Sequence, residues 1–145
     1  PSVKPQASVR LPHYFSEKLL VDAKCVLVDR VPTPPLSALG LKRYAVFEQG
    51  DYDGITYLDT FFLKKRNVAD EGLYFHELIH VVQWRVLGPE RFLAAYADGL
   101  EQFGYRDSPL EAMAYDAQTV FSQSKRVFNA EQLVVDRLNE RQLIR

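Results

Sequence analysis

The spacing of apolar residues changes once along this chain, near Asn67, and that change limits the folds open to it. Before Asn67, short β-branched and aromatic runs alternate with turn-forming clusters. Residues 24–31 (KCVLVDRV) are expected to form a strand, ended by Pro32, Pro34 and Pro35. A second strand is expected over 44–48. It leads through Gly50-Asp51-Tyr52-Asp53-Gly54, a turn signal, into a third strand over 55–63 (ITYLDTFFL). The second and third read as a hairpin with a longer loop. Residues 13–21 read as a short helix after Pro12, and a helical turn over 36–41 should stop near Gly40.

After Asn67 the period is about 3.6 and the rest reads as helix. The first long helix should run from near Asp70, a plausible N-cap, to Leu87, with Gly88-Pro89 as its stop. A second covers roughly 89–103 and ends at Gly104. A third opens at Ser108-Pro109 and continues to about Ser124. A fourth spans 130–143, with Asn129 in the cap position and Gln132 three residues on. The expected fold is therefore α+β, a small antiparallel sheet packed on a helical half. At 145 residues the chain suits one domain, over 11–145, that buries about 70% of its unfolded surface. Residues 1–10 read as a flexible tail without the apolar core of a signal peptide.

With 18 Lys+Arg against 19 Asp+Glu, no basic excess points to nucleic acid. No apolar stretch is long enough to span a membrane, so a cytoplasmic location is expected. The single cysteine excludes an internal disulfide and the cysteine-rich zinc sites. A metal site would have to draw on three histidines and the carboxylates.

Two of those three histidines stand in His76-Glu77-Leu78-Ile79-His80, an H-E-x-x-H motif inside the first long helix. Residues four apart share a helix face, so both rings can point a nitrogen at one ion. Glu77 lies about 100° round from His76, beside the metal, where its carboxylate can take a proton from activated water. Phe75, Leu78, Ile79, Val82 and Val86 form an apolar stripe that flanks the His76, His80 and Gln83 face. The competing reading is a pair of structural histidines satisfied in the core. The extended zincin pattern fails, because Gln83 and Val86 occupy its Gly and His positions. A di-iron bundle is also disfavoured, since no other His has Glu three residues before it.

A third ligand must come from elsewhere, and Glu111 is the best candidate. It opens a helix 111 − 80 = 31 residues downstream, enough chain for one intervening helix out and back. Ser108-x-x-Glu111 is equally a capping box, in which Glu111 would bond back to the Ser108 N–H. Asp107, Glu101, Asp98 and His13 are weaker candidates.

HELIHVVQW followed by PLEAMAYD resembles the gluzincin branch of zinc metallopeptidases, especially its minimal single-domain members. The likeness covers about residues 55–118. It implies a zincin-like fold, with zinc on His76, His80 and Glu111, and with Glu77 as general base and then general acid. It further implies a peptide or protein substrate lying along the strand at 55–63. Where larger gluzincins carry an Asp four residues after the ligand Glu, this chain has Tyr115, with Asp116 one residue further. Tyr115 lies on the Glu111 face and could donate to an oxyanion, with Tyr105 as the alternative; either is also readable as a core aromatic. Gln83 reads as an amide that orients a histidine or simply packs.

The remaining features read as structural. Asp51, Asp53 and Asp59 lack the spacing of a calcium loop. Cys25 reads as a buried small hydrophobe, and Leu133, Val134, Leu138 and Leu143 as a core stripe in the last helix. The leading functional expectation is a zinc-dependent peptidase. The alternatives are a metal-stabilised binding module without catalysis and a latent metalloprotease that its own N-terminal segment blocks.

Overall fold

The computed structural model describes residues 2–3, 8–32 and 52–143. The turn expected over 36–41 and the strand expected over 44–48 lie outside the described residues. In chain order the elements are β1 (Ser2–Val3), α1 (Glu17–Asp22), β2 (Lys24–Val28), β3 (Gly54–Tyr57), β4 (Thr60–Lys64), α2 (Glu71–Asp107), α3 (Pro109–Gln123) and α4 (Ala130–Glu140). Single 3₁₀ turns stand at Leu11–His13 and Lys65–Asn67. The arrangement is α+β, as the change of period requires.

The sheet departs from expectation in two ways. The run at 55–63 is two strands, because Leu58 adopts φ 57° and reverses the chain between β3 and β4. No Gly or Asn marks that turn, and a bulky residue rarely takes this conformation. The sheet is also mixed. Its order is β1-β2-β4-β3, with β2 and β4 parallel from Lys24↔Thr60 to Val28↔Lys64, and the other pairs antiparallel. Among the described strands β3 is therefore an edge, whereas β4 is interior. Only the first half of the 55–63 run keeps the edge position.

Helix boundaries follow the local chemistry. The Asp70 side chain caps α2 by accepting from Leu73 N at 3.0 Å, and Asn129 caps α4 by accepting from Gln132 N at 3.0 Å. The two long helices expected over 70–87 and 89–103 both lie within the Glu71–Asp107 run, parted at Gly88 (φ 80°), with a second break at Gly104 (φ 78°). Glycine suits Gly88 because positive φ costs it little, and Pro89 then starts the next helical turn with φ already set. The last helix is shorter than expected and ends at Glu140.

The core lies where α2, α3 and α4 meet the segment before α1. Phe75 stacks on Phe121 with ring centroids 4.5 Å apart, and Tyr14 meets both rings edge-on. Val134 and Leu138 of α4 close this side. Arg10, in the segment expected as a tail, donates to the Phe121 carbonyl at 2.8 Å, and Ser8 hydrogen-bonds Glu71. The other side of α2 faces the sheet, where Phe61, Leu63 and Cys25 are buried. Every residue of α2 from 74 to 84 is buried, which embeds the H-E-x-x-H turn between sheet and helices. No helix among the described residues is long and apolar enough to cross a membrane.

Candidate metal centre

Two turns of α2 and the first turn of α3 bring three ligand atoms together. Nε2 of His76 and Nε2 of His80 lie 3.2 Å apart, and Glu111 Oε1 lies 3.1 Å from each. All three side chains are about 95% buried. Zinc bonded to N and O at about 2.0–2.1 Å in a tetrahedron separates its ligands by about 3.3–3.4 Å. The observed triangle is close to one face of such a tetrahedron. Among the described residues, these three form a group able to hold a metal ion.

The far side of each imidazole fixes which nitrogen faces the triangle. His76 Nδ1–H donates to Gln118 Oε1 at 2.9 Å, and His80 Nδ1–H donates to Gln83 Oε1 at 2.7 Å. Gln83 is wholly buried, and its amide N–H donates to the Leu110 carbonyl at 3.1 Å, which leaves its oxygen for His80. With both protons on Nδ1, both Nε2 atoms present lone pairs toward Glu111 Oε1. Three converging acceptors repel one another unless a cation or a proton lies among them. In a metal-free chain the protonated form of His80 is favoured. Burial opposes its charge, but Glu111, by charge and hydrogen bond, outweighs burial and raises the His80 pKa to about 9. Burial likewise opposes charge on Glu111, and the two histidines overcome it and hold the carboxyl well below its usual range.

Glu77 is also buried, yet its environment acts the other way. Burial pushes its pKa up, with a smaller push from Glu111, against the lowering effect of the histidines and Thr56. The Thr56 hydroxyl, from β3, donates to Glu77 Oε1 at 2.8 Å, while Oε2 lies 3.9 Å from His76 Nε2. Trp84 Nε1–H donates to the Thr56 carbonyl at 3.3 Å and ties β3 to α2. Gly54 leaves room for this carboxylate: a Cβ there would stand 2.8 Å from Leu63 Cδ2 and 3.1 Å from Glu77 Oε2.

Aromatic hydroxyls border the Glu111 side. Tyr96 donates to Glu111 Oε2 at 2.6 Å. Tyr115 packs edge-on against His76 with centroids 4.4 Å apart, and the Arg106 guanidinium lies 4.2 Å from the Tyr115 ring centre. Tyr105 sits beyond Tyr115 and against Tyr52. Burial raises the pKa of all four tyrosines, and the Glu111 charge adds to it.

The structure thus brings His76, Glu77, His80, Gln83, Glu111 and Tyr115 to one place. The capping box does not form: Ser108 makes no side-chain cap and donates instead to the Tyr105 carbonyl, and Glu111 turns to the histidines. Asp98, Glu101, Asp107, Asp116 and His13 are exposed. Asp53 pairs with Arg66, and Cys25 is buried with its thiol pushed up to about 11, chiefly by burial. The sequence reading missed Thr56, Tyr96 and Gln118. Helix periodicity gives no signal for Thr56, which reaches Glu77 from another element, and Gln118 stands 42 residues from its histidine. Tyr96 stands 15 residues before Glu111, and no local motif links the two. No protein-family model, curated protein or solved structure matches the chain.

Proposed function

We propose that this chain is a zinc-dependent hydrolase of peptide bonds, of the gluzincin-like kind that its motifs resemble. The observation that carries this reading is the convergence of two imidazole lone pairs and one carboxylate oxygen beside a second buried carboxylate. Two His and one carboxylate are a ligand set of catalytic rather than structural zinc, because a position is left for water. Zinc held there would polarise a scissile carbonyl and lower the pKa of water to about 7. Glu77, with Oε1 bound by Thr56 and Oε2 toward the metal side, accepts the proton of the attacking water and returns it to the leaving amine. Tyr115, packed edge-on against His76, would offer its hydroxyl to a developing oxyanion. An extended peptide would add to β3, an edge among the described strands, which carries Gly54 and Thr56.

The test is elemental analysis with peptidase assays on wild type and Glu77→Gln. Equimolar zinc in both is expected, with hydrolysis of a peptide library reduced about 10²–10⁴-fold in Glu77→Gln. Equal hydrolysis by the two forms would contradict the role of Glu77. Zinc binding without hydrolysis in either would favour a metal-stabilised binding module.

A further inference from the structure

We propose that Tyr96 is a positioning residue that commits Glu111 to bind a metal ion through Oε1 alone. The proposal rests on the metal-binding part of the preceding reading and not on hydrolysis. A carboxylate can offer a metal one oxygen or two, and the choice decides how many positions remain for other ligands. At Glu111 the two oxygens have different surroundings. Oε1 faces both histidine Nε2 atoms at 3.1 Å, while Oε2 accepts the Tyr96 hydroxyl at 2.6 Å, a short bond to a charged acceptor. Turning Oε2 onto the metal would break that bond inside a buried site, where an unmade hydrogen bond is costly.

Tyr96 is held in place by a ladder of rings. Trp84 stacks on Phe92 with centroids 3.9 Å apart and planes 15° off parallel. Phe92 in turn stacks on Tyr96 at 5.7 Å and 17°. Trp84 precedes the Gly88 break and Phe92 follows it, so the ladder also bridges the bend in α2. Because Trp84 is bonded to Thr56, one chain of contacts runs from the residue that holds Glu77 to the residue that holds Glu111. In both carboxylates a hydroxyl occupies one oxygen and leaves the other toward the histidines.

The test uses the full chain, stripped by a chelator and reloaded with Co²⁺ or Zn²⁺, in wild type and Tyr96→Phe. Phenylalanine keeps the ring in the ladder and removes only the hydroxyl. Wild type is expected to show the intense visible bands of four-coordinate Co²⁺. In Tyr96→Phe those bands should weaken at least about twofold as the second oxygen joins, and zinc affinity should fall about tenfold or more. An unchanged Co²⁺ spectrum in Tyr96→Phe, with or without a change in affinity, would overturn the proposal. Infrared difference spectra of zinc loading in wild type need no variant at residue 96. A wide separation of the two carboxylate stretches lost in Glu111→Gln supports one-oxygen binding, and a narrow one overturns it. Wild-type chain that takes up neither ion overturns this inference together with the metal-site reading. Activity is not read, so failed hydrolysis and failed positioning are separable.

Discussion

Glu77 and Glu111 are carboxylates of equal burial on two sides of one pair of histidines, and their surroundings drive them apart. Glu77 sits on the sheet side, between Gly54 and Thr56, where burial dominates and its pKa rises. Glu111 sits on the helix side, 3.1 Å from both Nε2 atoms, and is held ionised against burial. Depth alone does not decide the behaviour of a buried acid. Contact with the ligand nitrogens does, and it separates a group suited to holding a cation from one suited to carrying a proton.

The largest effect that could break this division is thermal. Zinc at about 1,000 times its Kd should stabilise the fold by about 4 kcal/mol, read as a rise in Tm. That rise should be similar in wild type and Glu77→Gln and absent in Glu111→Ala. Equal rises in all three would merge the two roles.

The pH dependence sharpens the same contrast. In the chelator-treated chain the raised His80 pKa supplies stability that is complete below about pH 6.5 and lost as pH climbs through about 9. Ionisation of the buried Glu77 also costs stability as pH rises, whereas Glu111 contributes above about pH 4.5 and loses that only toward strong acid. Metal must displace the His80 proton, so zinc affinity should rise by up to about tenfold per pH unit between about 6.5 and 9. Thermal scans with and without zinc across that window should show the gap in Tm widening with pH. A gap that narrows would contradict the assigned proton.

Smaller effects concern the residues behind each group. Gln83→Ala should weaken zinc binding about 10–100-fold, and Gln118→Ala should do so less, because Gln83 is wholly buried and bonded at both ends. Competition titration with a coloured chelator measures both. On the sheet side, Thr56→Val should leave zinc affinity unchanged and lower kcat about tenfold with little change in KM, while Thr56→Ser restores it. A loss of zinc in Thr56→Val would show that the sheet side also holds the metal.

What the sequence carried is what helices carry locally. The His76–His80 spacing, the Asp70 and Asn129 caps and the breaks at Gly88 and Gly104 are all features within one or two turns. The α+β class followed from the change of period at Asn67. What it did not carry depends on distant packing. The turn at Leu58 is unmarked because its residue opposes the conformation it adopts, and it is held by the β3–β4 ladder and by the Lys24 N–H bond to the Asp59 carbonyl. The parallel pairing of β2 with β4 is likewise invisible in either strand alone. Whether Glu111 caps its helix or joins the histidines depends on the approach of α3 to α2, since Ser108-x-x-Glu111 permits both.

The most direct test of the central claim is elemental analysis of the metal content of three purified chains. Wild type and Glu77→Gln should each hold one equivalent of zinc, and Glu111→Gln should hold less than a tenth of that at the same free zinc. Equal zinc in Glu111→Gln, or none in wild type, would contradict the assignment of His76, His80 and Glu111 as the metal centre.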